Sequence, residues 1–265
     1  MSAIDQLFLK LRSENRKALM PFITAGDPDL ETTWEAICRF DAIGCHMCEV
    51  GVPYSDPIAD GPVIQASYTR ALEKKIKVSQ ILSGLSSIKN RLTMPRVTMV
   101  SYAIIYRYGL EKFVADAQAA GVSGAIVPDL LVEEAEAFSK ICRKADFSLI
   151  QLVTPTTPRD RAVRIAESSS GFLYYVSVTG ITGERTELPK DLAENVSWLR
   201  TQTPLPICIG FGINKPEHVR LLAPVADGLI VGSAVVRRIA EAMGPRRLEV
   251  LEETDAYLRD LMAAL

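Results

Sequence analysis

Residues Leu110–Pro128, LEKFVADAQAAGVSGAIVP, contain one complete helix–strand unit. Apolar side chains in the first half recur at the i, i+3, i+4, i+7 spacing of one helix face. They are Leu110, Phe113, Val114 and Ala117. Gly121 ends this pattern at a position typical of a helix C-terminus. The apolar run Gly124–Pro128 follows and has the length of a buried strand. The stretch therefore predicts a helix followed directly by a buried strand.

The same alternation continues along the whole chain. Eight apolar runs of strand length alternate with helical patterns, and they are Leu19–Thr24, Cys45–Val50, Val97–Ser101, Gly124–Pro128, Ser148–Leu152, Phe172–Val176, Pro206–Ile209 and Gly228–Val231. Strands this apolar are typical of a parallel sheet covered by helices. Eight such units in about 250 residues favour a closed (β/α)₈ TIM barrel over an open doubly wound sheet. No G-x-G-x-x-G follows the first strand, which also argues against a dinucleotide-binding fold.

Two amphipathic segments lie outside the eight units. We expect Ile4–Leu11 to form an extra helix at the floor of the barrel and Leu248–Leu261 to form a closing helix. No Pro-, Gly- or Ser-rich linker divides the chain, so the 265 residues are expected to form a single α/β domain, 1–265.

Charge and composition exclude several function classes. The formal net charge is 30 − 32 = −2 and no basic block is present, which argues against nucleic-acid or membrane-surface partners. No apolar run approaches the roughly eighteen residues of a membrane span, and no signal peptide is evident. We therefore expect a cytoplasmic protein.

The five cysteines are an odd number and mostly lie in apolar segments. Cys45 and Cys48 form a C-x-x-C around a histidine, a spacing that redox and metal sites also use. Here the motif lies in a predicted strand and no second cysteine pair follows it. Reduced core cysteines are the favoured interpretation.

Two connections between a predicted strand and the next helix are longer than the β/α repeat requires. The distance from Cys45 to Val97 is about twice the usual repeat, which predicts an insertion after the second strand. The connection after Val176 contains Thr179–Thr186, TGITGERT, whose glycines and threonines predict a mobile lid. In a barrel such βα loops build the active-site face.

A carboxylate lies inside the otherwise apolar second strand. Glu49 stands near the carboxyl end of this strand, where burial disfavours its charged form and raises its pKa, as a general acid/base requires. The alternative is a structural glutamate paired with Lys or Arg. Asp60, before Gly61-Pro62, belongs either to a turn or to the same site.

Glycines follow the last two strands. Gly210-Phe211-Gly212 comes after the seventh predicted strand, and Gly232-Ser233 comes after the eighth, just before a short helix. Glycines allow close backbone approach to an anion, and a helix start supplies N–H donors. Barrels often bind phosphate at these two loops, although tight turns without a ligand are the alternative.

Five segments in order along the chain carry a family resemblance, and they are Pro21–Pro28, Glu49–Pro62, Tyr174–Gly183, Gly210–Ile213 and Val231–Ala234. Together they resemble the tryptophan synthase α-chain family. The resemblance implies cofactor-free retro-aldol cleavage of indole-3-glycerol phosphate to indole and glyceraldehyde 3-phosphate. It also implies that Glu49 is the catalytic acid/base and that Asp60 meets the indole N–H. Tyr174 would supply a supporting hydroxyl, and the alternative for it is a core aromatic that faces the barrel interior.

The resemblance further implies the binding residues and the partner. Expected substrate contacts are Phe22, Val100, Tyr102, Ile126, Thr182, Gly183 and Ile230, and expected phosphate contacts are Gly183, Phe211, Gly212, Gly232 and Ser233. Indole would pass to a β subunit in an α₂β₂ complex, and pyridoxal phosphate would belong to that β subunit. No metal-ligand cluster or nucleotide motif appears in the sequence.

The chain departs from the family pattern at three places. Cys48 replaces a usual aliphatic residue, Ile104 lies where an asparagine is common, and Leu131 lies where a proline is common. The last two positions are in loops that face the β subunit in the family, whereas Asp56 and Asp129 of those loops are present.

Three alternative functions stay open at this point. One is another phosphate-binding barrel, such as a sugar-phosphate epimerase or isomerase, although it has no need of the Glu49–Asp60 segment. The others are a free-standing indole-releasing lyase and a non-catalytic subunit that activates its partner.

Overall fold

A computed structural model describes residues 1–57, 60–177, 190–210 and 212–265 of the chain. The described strands are β1 Ala18–Thr24, β2 Cys48–Gly51, β3 Arg96–Met99, β4 Gly124–Ile126, β5 Ser148–Ile150, β6 Leu152–Val153, β7 Leu173–Val176, β8 Ile207–Gly210 and β9 Gly228–Val231. All neighbouring pairs are parallel, in the order β5-β4-β3-β2-β1-β9-β8-β7-β6.

The two ends of this order are joined by the chain itself. β5 pairs with β4 and β6 pairs with β7, and Gln151 alone separates β5 from β6. The Gln151 carbonyl accepts a hydrogen bond of 3.1 Å from the Tyr174 N–H, so the ladder continues across the break. The sheet is therefore a closed barrel whose fifth strand is interrupted at one residue, and the predicted (β/α)₈ TIM barrel is confirmed.

Helices follow the strands around the outside. They are α1 Ala3–Ser13, α2 Leu30–Ala42, α3 Pro62–Glu73, α4 Val78–Ile88, α5 Tyr102–Tyr108, α6 Leu110–Ala119, α7 Glu136–Lys144, α8 Arg159–Ser168, α9 Lys190–Gln202, α10 Pro216–Leu222, α11 Ser233–Ile239 and α12 Arg247–Met262. The predicted insertion after the second strand consists of α3, α4 and a short 3₁₀ helix at Lys89–Arg91. None of the described helices is long and apolar enough to cross a membrane.

Helix α1 lies at the amino-terminal end of the barrel, as predicted. Ser2 caps it, since its side chain accepts from the Asp5 N–H while the Asp5 carboxylate accepts from the Ser2 N–H. Ile4, Phe8 and Leu11 are buried in one cluster with the barrel-facing side chains of the strands. The ring of Phe8 lies 5.9 Å from that of Phe172. Helix α12 is the predicted closing helix and packs against α2 and α11.

The second strand begins later than predicted. β2 starts at Cys48, whereas Cys45 belongs to the preceding loop. This loop is held to β1 because the Leu19 N–H donates to Nδ1 of His46 at 3.1 Å and the His46 N–H donates to the Leu19 carbonyl. Cys45 is buried, and burial raises the pKa of its thiol to about 12. The loop before β2 is buried and apolar, so its sequence resembles that of a strand and the predicted strand starts too early.

Candidate active site

A cavity of about 260 Å³ opens at the carboxyl ends of the strands. Eight of the residues expected to bind or react line it, and they are Phe22, Glu49, Asp60, Tyr174, Gly212, Ile230, Gly232 and Ser233. In a parallel barrel the carboxyl ends of all strands meet at one face. The fold thus brings residues together that are up to 211 positions apart in the chain, from 22 to 233.

Glu49 lies in β2 between Phe22 of β1 and Val97 of β3. Its side chain is fully buried, and neither carboxylate oxygen has a hydrogen-bond partner among the described residues. Burial raises its pKa to about 8 because the low-dielectric surroundings disfavour the charge. The alternative of a structural ion pair finds no support, since the described lysines and arginines make no salt bridge with Glu49.

Asp60 lies directly before helix α3, where Gly61 is the N-cap residue. Its backbone carbonyl accepts from Nε2 of Gln65 at 2.8 Å, which fixes the end of the loop to the first turn of the helix. Partial burial raises the pKa of its carboxyl to about 6. Asp60 is therefore both a turn residue and a wall of the cavity.

Tyr174 lies on β7 and contributes its phenol to the cavity. Its pKa is raised well above the usual value, first by burial and then by the nearby carboxyls of Glu49 and Asp60. Gly210 on the neighbouring strand gives it room, because a Cβ there would lie 2.3 Å from the Tyr174 hydroxyl. The phenol stays protonated at neutral pH and is available as a hydrogen-bond donor.

The glycine loops lie on one side of the same cavity. Gly212 has φ +81°, a left-handed conformation that favours glycine. Gly232 is the N-cap residue of α11, and a Cβ at this position would meet nothing within 4 Å. Arg237, one helical turn after Ser233, also lines the cavity. Phe211, Thr182 and Gly183 lie outside the described residues, as does the predicted lid Thr179–Thr186.

The remaining expected substrate contacts lie elsewhere. Val100 lines a second, smaller cavity. Tyr102 and Ile126 line neither cavity. Tyr102 begins α5, and its ring lies 6.2 Å from that of Phe138. Ile126 is fully buried within the barrel interior.

The smaller cavity has a volume of about 110 Å³ and adjoins the larger one. It is lined by Val52, Tyr54, Asp56, Pro57, Asp60, Tyr68, Met99, Val100, Ser101, Pro128 and Asp129. Asp60, Met99 and Pro128 line both cavities and form the boundary between them. Asp129 accepts hydrogen bonds from the Ser101 hydroxyl at 2.6 Å and from the Tyr102 N–H at 2.7 Å.

Helix α3 is attached to the loop that follows β1. Arg70 donates two hydrogen bonds to the Asp27 carboxylate, at 2.8 and 2.6 Å, and the Asp27 side chain is only 2% exposed. The hydroxyls of Thr24 and Ser67 lie 2.7 Å apart in a buried contact. These two contacts hold the helix whose N-terminus carries Asp60.

Several lining residues were missed by the sequence analysis. They include Ile64, Tyr68, Met99, Leu152, Val176 and Arg237. Ile64 and Tyr68 are four residues apart in α3, as are Ser233 and Arg237 in α11. Residues at this spacing lie on one face of a helix. Extending the motifs by one helical turn is therefore the signal that could have identified three of them.

The family of the chain follows from comparison with known proteins. The model of the family described as "Tryptophan synthase alpha chain" matches residues 8–264. The tryptophan synthase alpha chain of Rhodopirellula baltica is 64% identical over 250 residues, covering 92% of this chain and 88% of that protein.

The chain belongs to the tryptophan synthase alpha chain family.

More distant members agree over the full length. The alpha chain of Caldanaerobacter subterraneus is 43% identical over 265 residues and covers 100% of both proteins. The crystal structure of the tryptophan synthase alpha subunit from Legionella pneumophila has a TM-score of 0.90 at 34% identity, covering 100% of this chain and 98% of that one. A chain of Mycobacterium tuberculosis tryptophan synthase has a TM-score of 0.88 at 30% identity, covering 100% and 99%.

Proposed function

We propose that the chain cleaves indole-3-glycerol phosphate to indole and glyceraldehyde 3-phosphate, with Glu49 as the general acid and base. Its membership of the tryptophan synthase alpha chain family supports the reaction. The observation that carries the mechanism is the position of Glu49, fully buried and unpaired among the described residues on the wall of a cavity that also holds Asp60.

The proposed reaction begins with a proton. Because the pKa of Glu49 is raised to about 8, its carboxyl is protonated at neutral pH and can protonate C3 of the indole ring. The ring becomes a cationic indolenine that accepts the electron pair of the breaking C–C bond. The resulting Glu49 carboxylate takes the proton from the side-chain hydroxyl as the aldehyde forms. One carboxyl thus supplies and recovers the proton, and no net change remains on the protein.

Asp60 stabilises the charge that develops on the ring. Its pKa of about 6 leaves it mostly ionised at neutral pH, so its carboxylate can accept a hydrogen bond from the indole N–H. A charge-assisted bond of this kind contributes about 1.5–3 kcal/mol, and more of it is realised as the ring becomes cationic. Tyr174, a protonated phenol on the same cavity, would donate to a substrate oxygen or to a carboxylate.

The two ends of the cavity match the two ends of the substrate. Phe22 and Ile230 form apolar walls for the indole ring, with Val100 in the adjoining cavity. Gly212, Gly232 and Ser233 offer backbone N–H groups to the phosphate, and Arg237 adds a positive charge. We assign Thr182, Gly183 and Phe211 to the substrate and phosphate contacts from the family resemblance.

Indole release tests this function. The purified chain and a Glu49→Gln variant are assayed with indole-3-glycerol phosphate, with and without a β subunit of tryptophan synthase. We expect slow release by the chain alone, faster release with the β subunit, and a loss of about 10²–10⁴-fold or more in Glu49→Gln. Glu253→Gln, an exposed position on α12, is the control. Wild-type protein that releases no indole under either condition contradicts the proposal.

We also infer that the chain binds a β subunit in a cytoplasmic α₂β₂ complex. Indole would pass directly to the β subunit, which would carry the pyridoxal phosphate. The solved relatives from Mycobacterium tuberculosis are described as tryptophan synthase. On this chain, Tyr106 and Leu131 are 71% and 53% exposed in the segments that follow β3 and β4. Their apolar surface is suited to contact with a protein, which titration with a β subunit would measure.

A further inference from the structure

Tyr68 is a buried tyrosine that lines the smaller cavity. Its side chain is 3% exposed and belongs to the cluster that fills the barrel interior. The hydroxyl makes no hydrogen bond with the described residues, although buried phenols usually find a partner. Asp60 lines the same cavity of about 110 Å³, and its carboxylate also lacks a hydrogen-bond partner among the described residues.

Gly51 explains how this hydroxyl reaches the site. Glu49 and Gly51 are two residues apart on β2, so both face the barrel interior. A Cβ on Gly51 would lie 3.0 Å from the Tyr68 hydroxyl and 2.4 Å from the Phe22 ring. The absent side chain of Gly51 therefore leaves the space into which the phenol of Tyr68 extends, one position above Glu49 on the same face of the strand.

We propose that the Tyr68 hydroxyl donates a hydrogen bond to the ionised Asp60 carboxylate and is a positioning residue for the lyase reaction. The inference rests on the proposed function, and it adds a donor that neither the motifs nor the family resemblance assigns. The two groups line one small cavity. Burial raises the pKa of the Tyr68 phenol, and the Asp60 carboxylate is close enough to help raise it. The bond directs the second carboxylate oxygen towards the indole N–H.

Other titratable and charged groups also face Asp60. They are Glu49, Tyr174 and Arg237 in the larger cavity and Tyr54, Asp56 and Asp129 in the smaller one. Asp129 is already bonded to Ser101 and the N-terminus of α5, and Asp56 accepts from the Ser55 hydroxyl at 2.7 Å. Burial is what disfavours a charge on Asp60. The Tyr68 hydroxyl is a neutral donor in the smaller cavity and would offset this cost.

The consequence is a dependence on pH. A hydrogen bond to the ionised form lowers the pKa of a carboxyl, so its removal raises this pKa. In Tyr68→Phe the ring and its packing remain but the donor is lost. The acid limb of kcat/KM should move up by about one pH unit, which lowers kcat/KM more at pH 6 than at pH 8.

The matched control is Tyr257→Phe. Tyr257 lies on α12, and its hydroxyl is likewise buried without a hydrogen-bond partner among the described residues, but it lines neither cavity. This variant should keep the wild-type activity and pH profile. A double-mutant cycle with Asp60→Asn tests whether Tyr68 acts through Asp60. Once the carboxylate is absent, Tyr68→Phe should cause no further loss of kcat/KM.

The proposal is overturned if Tyr68→Phe leaves the profile unchanged, if its loss is equal at pH 6 and pH 8, or if the loss persists in the Asp60→Asn background. A carbon-13 NMR titration of the Asp60 carboxyl, in wild-type and Tyr68→Phe protein, gives a readout without turnover. A raised Asp60 pKa in the variant supports the bond, and an unchanged one contradicts it. Wild-type protein that releases no indole instead contradicts the proposed function, whatever the titration shows.

Discussion

Glu49 and Tyr174 lie on opposite walls of the barrel. Their strands, β2 and β7, are separated by β1, β9 and β8 in one direction and by β3, β4 and the interrupted β5/β6 strand in the other. The two side chains nevertheless line one cavity, and the carboxyl of Glu49 contributes to raising the Tyr174 pKa. A molecule that fills the barrel mouth therefore meets the acid from one side and the phenol from the other.

The proposed roles of the two carboxyls predict a bell-shaped pH profile. Activity requires ionised Asp60, whose pKa is about 6, and protonated Glu49, whose pKa is about 8. The value of kcat/KM should rise through the lower value and fall through the upper one. Steady-state indole release between pH 5 and pH 9.5 measures both limbs. An Asp60→Asn variant should lose the acid limb and keep the alkaline limb, and retention of both limbs would contradict the assignment.

The raised pKa of Glu49 also predicts a pH-dependent stability. Below its unfolded value of about 4.5 the carboxyl is protonated in both states, so its ionisation does not oppose folding. As the pH rises towards 8, the unfolded chain ionises while the folded chain keeps the proton, so stability is lost through this window. Glu49→Gln lacks this loss. The quantity to compare is the free energy of unfolding of Glu49→Gln minus that of the wild type. This difference should be larger at pH 9 than at pH 4 by on the order of 4 kcal/mol.

Urea unfolding at the two pH values measures this difference, with Glu253→Gln as the exposed control. If Glu49→Gln and the wild type differ by the same free energy of unfolding at pH 4 and at pH 9, the pKa of Glu49 is the same in the folded and unfolded states.

Arg237 should determine the affinity for the phosphate. It lines the cavity one turn after Ser233, and its side chain is exposed enough to reach a bound anion. We expect Arg237→Ala to raise KM about tenfold with little change in kcat, because the lost attraction acts equally on the substrate and the transition state. Arg237→Lys should recover part of the loss.

The control is Arg220→Ala, since Arg220 is 64% exposed on α10 and lines neither cavity. The effect of Arg237→Ala should shrink at high salt and disappear with indole-3-glycerol, which carries no phosphate. A fall in kcat with unchanged KM would instead place Arg237 in the chemical step.

The contact between Arg70 and Asp27 should stabilise the fold. Arg70→Met leaves a carboxylate that is 2% exposed without its bidentate partner. Since Arg70 itself is 43% exposed, we expect a loss of about 2 kcal/mol, which is less than for a fully buried pair. Asp27→Asn in the same protein should restore part of the stability. Chemical unfolding measures both variants, and additive losses would contradict the pairing.

Most of the fold follows from patterns that are local in the sequence. Strands buried on both faces are apolar throughout, so the sequence alone indicates all eight runs. The break at Gln151 was not predicted, because a single residue that leaves the ladder carries no periodic signal. The early start assigned at Cys45 has a similar cause, since a buried loop and a buried strand share the same composition.

The site was predicted less completely than the fold. Glu49 could be identified because a carboxylate within an apolar strand is unusual. Tyr68 and Arg237 lie outside the sequence motifs, and only the i, i+4 spacing along α3 and α11 connects them to motif residues. The family resemblance places Tyr102 in the indole pocket, although it lines neither cavity here. Helix α5 begins at this residue and directs its ring towards Phe138.

Helix α1 has an effect on the site from the opposite end of the barrel. Ile4, Phe8 and Leu11 continue the apolar column that fills the barrel interior below Glu49. This column keeps bulk water, and with it a high dielectric constant, away from the carboxyl. Helix α1 therefore helps to keep the dielectric constant low around Glu49, although it does not contact this residue. Removal of these side chains would open the lower end of the column to water and bring the pKa of Glu49 closer to its usual value.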